Sequence, residues 1–100
     1  MLQVEKDSPP EEFLVPYLTE FIDRRFEELE NLRTSNESHD FPAVKKIAHN
    51  WAGISKPYGC ESLALIARDL ERMAEEKNCS QISEAVIEIK KYLNQKKELL

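Results

Sequence analysis

Only two glycines, Gly53 and Gly59, occur among the 100 residues of this chain. Because β folds depend on glycine at many of their turns, such scarcity favours long helices over a turn-rich sheet. Apolar residues recur every three or four positions through most of the chain, which is the spacing of one helix face, and no segment alternates like a half-buried strand. The sequence therefore predicts an all-α fold.

Chain length and net charge indicate how many domains the protein has and which partners are excluded. One hundred residues suffice for one modest core, so we expect a single domain over residues 1–100. The net charge of −5 argues against nucleic acid as a partner, since a polyanion repels phosphate backbones. No apolar run approaches the roughly 20 residues that span a bilayer, and the acidic start MLQVEKDSPPEEF is unlike a signal peptide. These features predict a cytoplasmic protein without membrane contact, in which Cys60 and Cys79 are reduced thiols.

A short extra helix is predicted at the N-terminus. Ser8 can cap it, and the two prolines that follow suit a first turn. Because the residue before a proline avoids helical dihedrals, the helix should break at Val15, and Pro16 then opens the first main helix. The apolar residues of that helix follow helical spacing at Leu18, Phe21, Ile22, Phe26, Leu29 and Leu32.

The second main helix has clear signals at both ends. Residues 34–40 are predicted as a polar loop in which Asp40 caps the helix, and Pro42 falls in the tolerant first turn. The helix is predicted to run to about Lys56. It should end there because Pro57 lacks a backbone N–H and Gly59 can take a positive φ.

Two further helices complete the predicted fold. The third runs over about residues 60–77, and Ser80 caps the fourth. The predicted buried face of the third carries Leu63, Ile66, Ala67, Leu70 and Met73, and that of the fourth carries Ile82, Val86, Ile89 and Leu93. Four main helices with short connections predict an antiparallel four-helix bundle with a short extra N-terminal helix.

One of only two histidines lies in the second main helix, in the stretch AHNWAGISKPYG of residues 48–59. A stripe of large apolar residues runs along that helix at Val44, Ile47, Trp51, Ile54 and Tyr58. On a wheel of about 100° per residue, His49 lies roughly 160° from the centre of the stripe. His49 is therefore predicted to face solvent or a partner, and not the core.

Lysines and small residues surround His49 on this outer face, namely Lys45, Lys46, Ala52, Gly53 and Lys56. Lys56 is two turns after His49 and only about 20° from it on the wheel. A glycine inside a helix costs about 0.5–1 kcal/mol relative to alanine. A glycine at position 53 is explained if another molecule must come very close to the imidazole, because glycine has no side chain to obstruct it.

These residue types are suited to phosphoryl transfer. An exposed imidazole is mostly neutral at slightly alkaline pH and is a competent nucleophile toward phosphorus, while lysines attract phosphoryl oxygens. We expect no carboxylate on the same face, no metal cage and no phosphate-cradling glycine loop. His49 is therefore predicted to be a carrier whose other catalytic groups come from a partner, or else an ordinary surface histidine; the spacing alone leaves both open.

The stretch AHNWAGISKPYGCESLALIARDLE resembles the signature of histidine phosphotransfer (HPt) domains, H-x-x-K-G-x-S-x-x-x-G-x-x-x-L followed by an arginine and an L-E pair. The matching residues are His49, Gly53, Ser55, Gly59, Leu63, Arg68, Leu70 and Glu71. The resemblance covers about residues 10–98 and implies a four-helix bundle that carries a phosphoryl group between receiver-domain aspartates in a two-component phosphorelay. It implies His49 as the phosphorylation site and Gly53 as the position of close approach. The implied partners are response-regulator receiver domains, which supply Mg²⁺, and a hybrid histidine kinase; the chain needs no cofactor of its own.

One departure from the signature leaves an alternative open. The family has a lysine three residues after the histidine, where this chain has Ala52. Either Lys56 replaces that cation, or the chain is a non-phosphorylated HPt-like interaction module that binds and inhibits or scaffolds a receiver or histidine kinase. A metal site using His39, His49 and a cysteine is a third interpretation, but the spacings fit no zinc pattern.

Overall fold

A computed structural model describes residues 2–100; Met1, the first residue of the predicted domain, lies outside the described residues. Within this range all regular structure is helical, which confirms the all-α prediction and its four main helices. The α-helices are α1 (Leu18–Glu37), α2 (Phe41–Ile54), α3 (Glu61–Glu75) and α4 (Cys79–Glu98). Three short 3₁₀ segments accompany them at Val4–Lys6, Glu12–Tyr17 and Lys56–Tyr58.

The core forms where the apolar faces of the four helices meet. α2 packs mainly against α3, and α1 mainly against α4. Trp51 and Tyr92 are the largest buried side chains, and every residue predicted to face inward on the last helix is buried. The predicted stripe of α2 is confirmed at Val44 and Trp51, whereas Ile47, Ile54 and Tyr58 pack at the edge of the core.

The N-terminal segment differs from its prediction. Ser8 caps no helix, and its hydroxyl donates to Glu61 Oε2 at 3.3 Å. Glu12–Tyr17 is a 3₁₀ segment with Pro16 inside it, and the α-helix begins only at Leu18. The predicted break at Val15 is therefore wrong, because the 3₁₀ segment continues through Val15 and Pro16. Pro16 lacks the N–H for an α-helical hydrogen bond, and its ring crowds the carbonyl four residues earlier, so an α-helix is disfavoured there.

A buried polar cluster holds this segment against the rest of the protein. We call it the Asp7 clasp, defined as Asp7, Ser62, Tyr92 and Lys96. Asp7 Oδ1 accepts from the Ser62 backbone N–H at 2.9 Å and from the Ser62 hydroxyl at 2.7 Å, and Asp7 Oδ2 contacts Tyr92 OH and lies 2.8 Å from Lys96 Nζ. Because Ser62 lies in the first turn of α3 and Cys60 gives that helix no side-chain cap, Asp7 acts as the cap from a distant part of the chain.

The predicted polar loop at residues 34–40 is wrong at its start, because α1 continues to Glu37 and only residues 38–40 connect it to α2. The reason is a tertiary contact. The side chain of Asn36 is buried, and its Nδ2 donates to the Cys79 carbonyl and to Ser83 Oγ, each at 3.1 Å. These two bonds hold in helical form a stretch whose composition favours a loop.

The helix caps are partly as predicted. Asp40 Oδ1 accepts from the Ala43 N–H at 3.3 Å, which confirms the N-cap of α2. At α4 the cap is Asn78, whose Oδ1 accepts from the Gln81 N–H at 3.1 Å, and not Ser80. Two good capping residues two positions apart compete here, and the earlier one begins the helix. Within residues 2–100, no helix has both the length and the apolar character needed to cross a bilayer.

Candidate functional site

His49 lies in the middle of α2 and points away from the core. Its side chain is 81% exposed, while its neighbours Ala48 and Trp51 are fully buried. The exposure of His49 that the helical wheel predicts is therefore confirmed. Because the imidazole is not needed for packing, its position on α2 leaves it free to meet another molecule.

A carboxylate from α3 contacts this imidazole. Glu71 Oε2 lies 3.4 Å from His49 Nδ1, and the Glu71 side chain is partly buried. The expectation of no carboxylate on this face is wrong, because a wheel drawn for one helix does not show the helix packed beside it. A carboxylate at Nδ1 favours the tautomer with hydrogen on that nitrogen, which leaves the lone pair of Nε2 directed toward solvent.

The three predicted lysines are not equivalent. Lys45 Nζ lies 2.7 Å from Glu75 Oε1, one turn beyond Glu71 on α3. This hydrogen bond raises the pKa of Lys45 and offsets its charge locally. Lys46 and Lys56 are exposed, and neither has a carboxylate within 4.0 Å in the described part of the chain. Of these three lysines, Lys46 and Lys56 are therefore the ones whose charge no described carboxylate offsets.

Lys56 and Ala52 lie differently from their predicted positions. α2 ends at Ile54, so Lys56 lies in the following 3₁₀ segment and not on the α-helical line through His49. The early end follows from Pro57, which cannot continue the helical hydrogen bonds. Ala52 is half-buried and packs against the core, so it borders the open face instead of lying on it.

Gly53 leaves an open space beside His49. A Cβ placed on Gly53 would meet no atom within 4 Å, and its φ is not positive. Neither packing nor backbone conformation requires glycine here, although glycine weakens a helix. The missing side chain has one structural consequence, which is that the surface one turn from His49 is bare.

Other residues that match the HPt signature have roles within the fold. Leu63 and Leu70 are buried in the core, and Ser55 is buried at the end of α2. Gly59 has φ 77°, and a Cβ there would meet the Pro10 nitrogen at 2.8 Å. Leu63, Leu70 and Gly59 are therefore explained by packing or by the turn. Packing does not explain why residue 55 is a serine, because the buried Ser55 hydroxyl has no hydrogen-bond partner among the described residues.

The described residues form no group of three or more His, Cys, Asp or Glu side chains suited to a metal ion. His39 lies in the loop before α2, where its ring stacks on Phe41 with centroids 5.7 Å apart. It therefore belongs to a different surface feature from His49.

No family model, no curated protein and no solved structure matches this chain.

Proposed function

We propose that the protein is a phosphoryl carrier of the histidine phosphotransfer type, in which His49 takes a phosphoryl group from the aspartyl phosphate of one receiver domain and passes it to another. The observation that supports this function best is the exposed imidazole with Glu71 at Nδ1 and the bare surface of Gly53 one turn away. The chain would act as an intermediate in a two-component relay and not as a self-sufficient enzyme.

The proposal includes the architecture. α1 to α4 would form an antiparallel four-helix bundle, which is supported by the pairing of α2 with α3 and of α1 with α4 and by the short connections. In such a bundle the outer face of α2 is available along its length to a docked receiver. The proposal also places the protein in the cytoplasm, with a hybrid histidine kinase upstream and no contact with nucleic acid or membrane.

The transfer step assigns a separate task to each group. The Nε2 lone pair attacks the phosphorus, the bond from phosphorus to the aspartyl oxygen breaks, and the aspartate leaves as a carboxylate. Because the imidazole gains positive charge as the new bond forms, Glu71 stabilises it through the hydrogen on Nδ1. The receiver's acidic site supplies Mg²⁺ and the in-line geometry, and Lys46 and Lys56 complement that acidic surface.

Ala52 favours a second candidate function. Because a short apolar side chain stands where the HPt signature has a lysine, a phosphoryl group on His49 would lack that cation. A chain with this change could bind a receiver or kinase as an inhibitor or scaffold without accepting phosphate. The two candidates differ in a covalent product, so one experiment separates them.

The test is incubation of the protein with receiver domains from the same cell, phosphorylated with labelled phosphate. We expect acid-labile, base-stable label on the wild type and none on His49→Gln, with His39→Gln as the matched control that keeps its label. Because His49 is exposed, His49→Gln should change the free energy of unfolding by no more than about 0.5 kcal/mol. Gly53→Gln should block transfer by bulk while the helix content stays unchanged.

Each outcome has a definite meaning. Label that persists in His49→Gln would overturn the assignment of the acceptor. A wild type that binds receivers without acquiring label would support the interaction module instead. Normal transfer by Gly53→Gln would remove the argument from close approach.

A further inference from the structure

A charged side chain on α1 is buried without its full set of hydrogen bonds. Arg25 is 3% exposed, and its guanidinium lies over the Phe21 ring, 4.5 Å from the centroid. Arg25 Nε is 2.7 Å from Glu28 Oε1 but is not directed at it, and neither Nε nor Nη1 has a hydrogen-bond partner in the described residues. Burial lowers the pKa of Arg25, although Glu28 opposes this effect. Buried donors of a charged group are rarely left unused.

A groove opens beside this guanidinium. Its volume is about 370 Å³, within the range of small-molecule sites. The lining residues are Tyr17, Glu20, Phe21, Arg24, Arg25, Ile54 and Tyr58. Phe21 and Tyr58 stack with centroids 4.0 Å apart, and Tyr17, which is 56% exposed, stands at the rim. Because Tyr58 covers one face of the Phe21 ring and Arg25 the other, the aromatic surface open to a ligand belongs to Tyr17 and Tyr58. The groove therefore combines this aromatic surface with one buried, incompletely bonded cation.

We infer that this groove binds a small carboxylate with a flat aromatic body. A guanidinium is planar and presents parallel N–H groups that match the two oxygens of a carboxylate. Tyr17 and Tyr58 match a flat ring. The exposed Arg24 adds positive charge at the rim, which Glu20, a lining residue 4.0 Å from it, offsets only in part. The inference does not depend on phosphorylation of His49.

The structure contains its own reporter for such binding. Glu28 Oε1 also accepts from Trp51 Nε1 at 2.8 Å, and Trp51 is the only tryptophan in the chain. A ligand that draws the Arg25 guanidinium toward the groove would change the contact between Arg25 and Glu28. Because Glu28 is shared, the fluorescence of the buried indole should change with it.

The experiment is a titration with phenylacetate, followed by Trp51 fluorescence and by calorimetry. Phenylacetamide is the matched probe, since it has the same ring and shape but no charge. We expect saturable binding of phenylacetate. Phenylacetamide should bind about 10- to 100-fold more weakly, because it cannot form charge-assisted hydrogen bonds with the guanidinium. Arg25→Lys keeps the charge but loses the planar fork, so phenylacetate should bind it about tenfold more weakly. Arg33→Lys, on the same helix but outside the groove, is the control.

A rim variant keeps the test decisive if Arg25→Lys does not fold. Tyr17→Ala removes an exposed aromatic wall, so it should weaken phenylacetate binding without loss of the fold. Equal affinities for phenylacetate and phenylacetamide, unchanged affinity in Tyr17→Ala, or no saturation would each overturn the inference. His49→Gln should bind phenylacetate as the wild type does, so failure here is distinct from failure of the proposed phosphotransfer.

Discussion

The Asp7 clasp and the His49 face both set a carboxylate against a nitrogen of another side chain, but they do so in opposite surroundings. The Asp7 side chain is 2% exposed and is held by Ser62, Tyr92 and Lys96. The His49 side chain is 81% exposed, and among the described residues it has one polar side-chain contact, with Glu71 at 3.4 Å. A buried, fully bonded cluster is suited to holding segments together, whereas an exposed group with one weak restraint is suited to meeting a partner.

The two glycines repeat this contrast. Gly59 is required by its positive φ and by the nearness of Pro10 and Ser8, so it belongs to the structure of the turn. Gly53 is required by neither. A residue that weakens its helix and fills no structural need is the kind of feature by which a functional surface can be recognised.

The largest expected effect is on the clasp. Asp7→Ala leaves Lys96 nearly buried without its carboxylate and removes the cap of α3, so we expect a loss of about 3–5 kcal/mol in the free energy of unfolding. Asp23→Ala is the matched control, because Asp23 also lies 2.8 Å from a lysine, Lys97, but is about half exposed. It should cost about 0–1 kcal/mol in urea denaturation. Equal losses in the two variants would show that burial does not distinguish the clasp.

Low pH should remove the stability that the Asp7 clasp contributes. Burial alone would raise the pKa of Asp7, but hydrogen bonds from Lys96, Tyr92 and Ser62 outweigh it and lower the pKa below its ordinary value of 3.8. A carboxyl with a lowered folded-state pKa contributes its stability fully above the unfolded value and loses it as pH falls through the folded one. The stability difference between wild type and Asp7→Ala should therefore shrink between about pH 5 and about pH 2. A difference independent of pH over that interval would contradict the assignment of Asp7 as the ionised centre of the clasp.

Replacement of each glycine by alanine should change the free energy of unfolding in opposite directions. Gly59→Ala forces a side chain into the left-handed region and against the Pro10 backbone, so we expect a loss of about 1–3 kcal/mol. Gly53→Ala should gain about 0.5–1 kcal/mol, because it improves the helix and meets nothing. Thermal denaturation of the two variants measures both. A loss at Gly53 would mean that the open surface has a structural role after all.

Local patterns were enough to predict the four main helices, but neither all of their bounds nor the contacts between them. The apolar spacing placed Trp51 inside and His49 outside correctly, because both positions follow from one helix alone. Glu71 could not be assigned to His49 in this way, since it is 22 residues away and reaches the imidazole only through the packing of α3 on α2. Long-range contacts of this kind have no periodic signature in a single sequence.

The absence of any local signal for long-range contacts also explains where the predicted fold was wrong. Asn36 looks like a loop residue by composition, yet its bonds to Cys79 and Ser83 extend α1. The role of Asp7 was hidden because its partner Ser62 lies 55 residues away. The signal that could have pointed to Asp7 is indirect: Cys60, the residue before α3, is a poor cap, so the first N–H groups of that helix needed an acceptor from elsewhere.

The smallest expected effect concerns the lysines of the His49 face. Lys56→Ala removes an exposed charge with no carboxylate partner, so we expect transfer slower by about 3- to 10-fold, equivalent to about 1 kcal/mol, and a smaller effect at high salt. The double variant Lys45→Ala with Glu75→Ala removes an internally neutralised pair and should transfer at nearly the wild-type rate. Ala52→Lys should restore the rate of Lys56→Ala, because a long lysine stem can run from the core edge to the open face. A greater loss of rate in the double variant than in Lys56→Ala would mean that Lys45, and not Lys56, supplies the cation for the phosphoryl group. Unchanged rates in both variants would mean that the receiver supplies all of the positive charge.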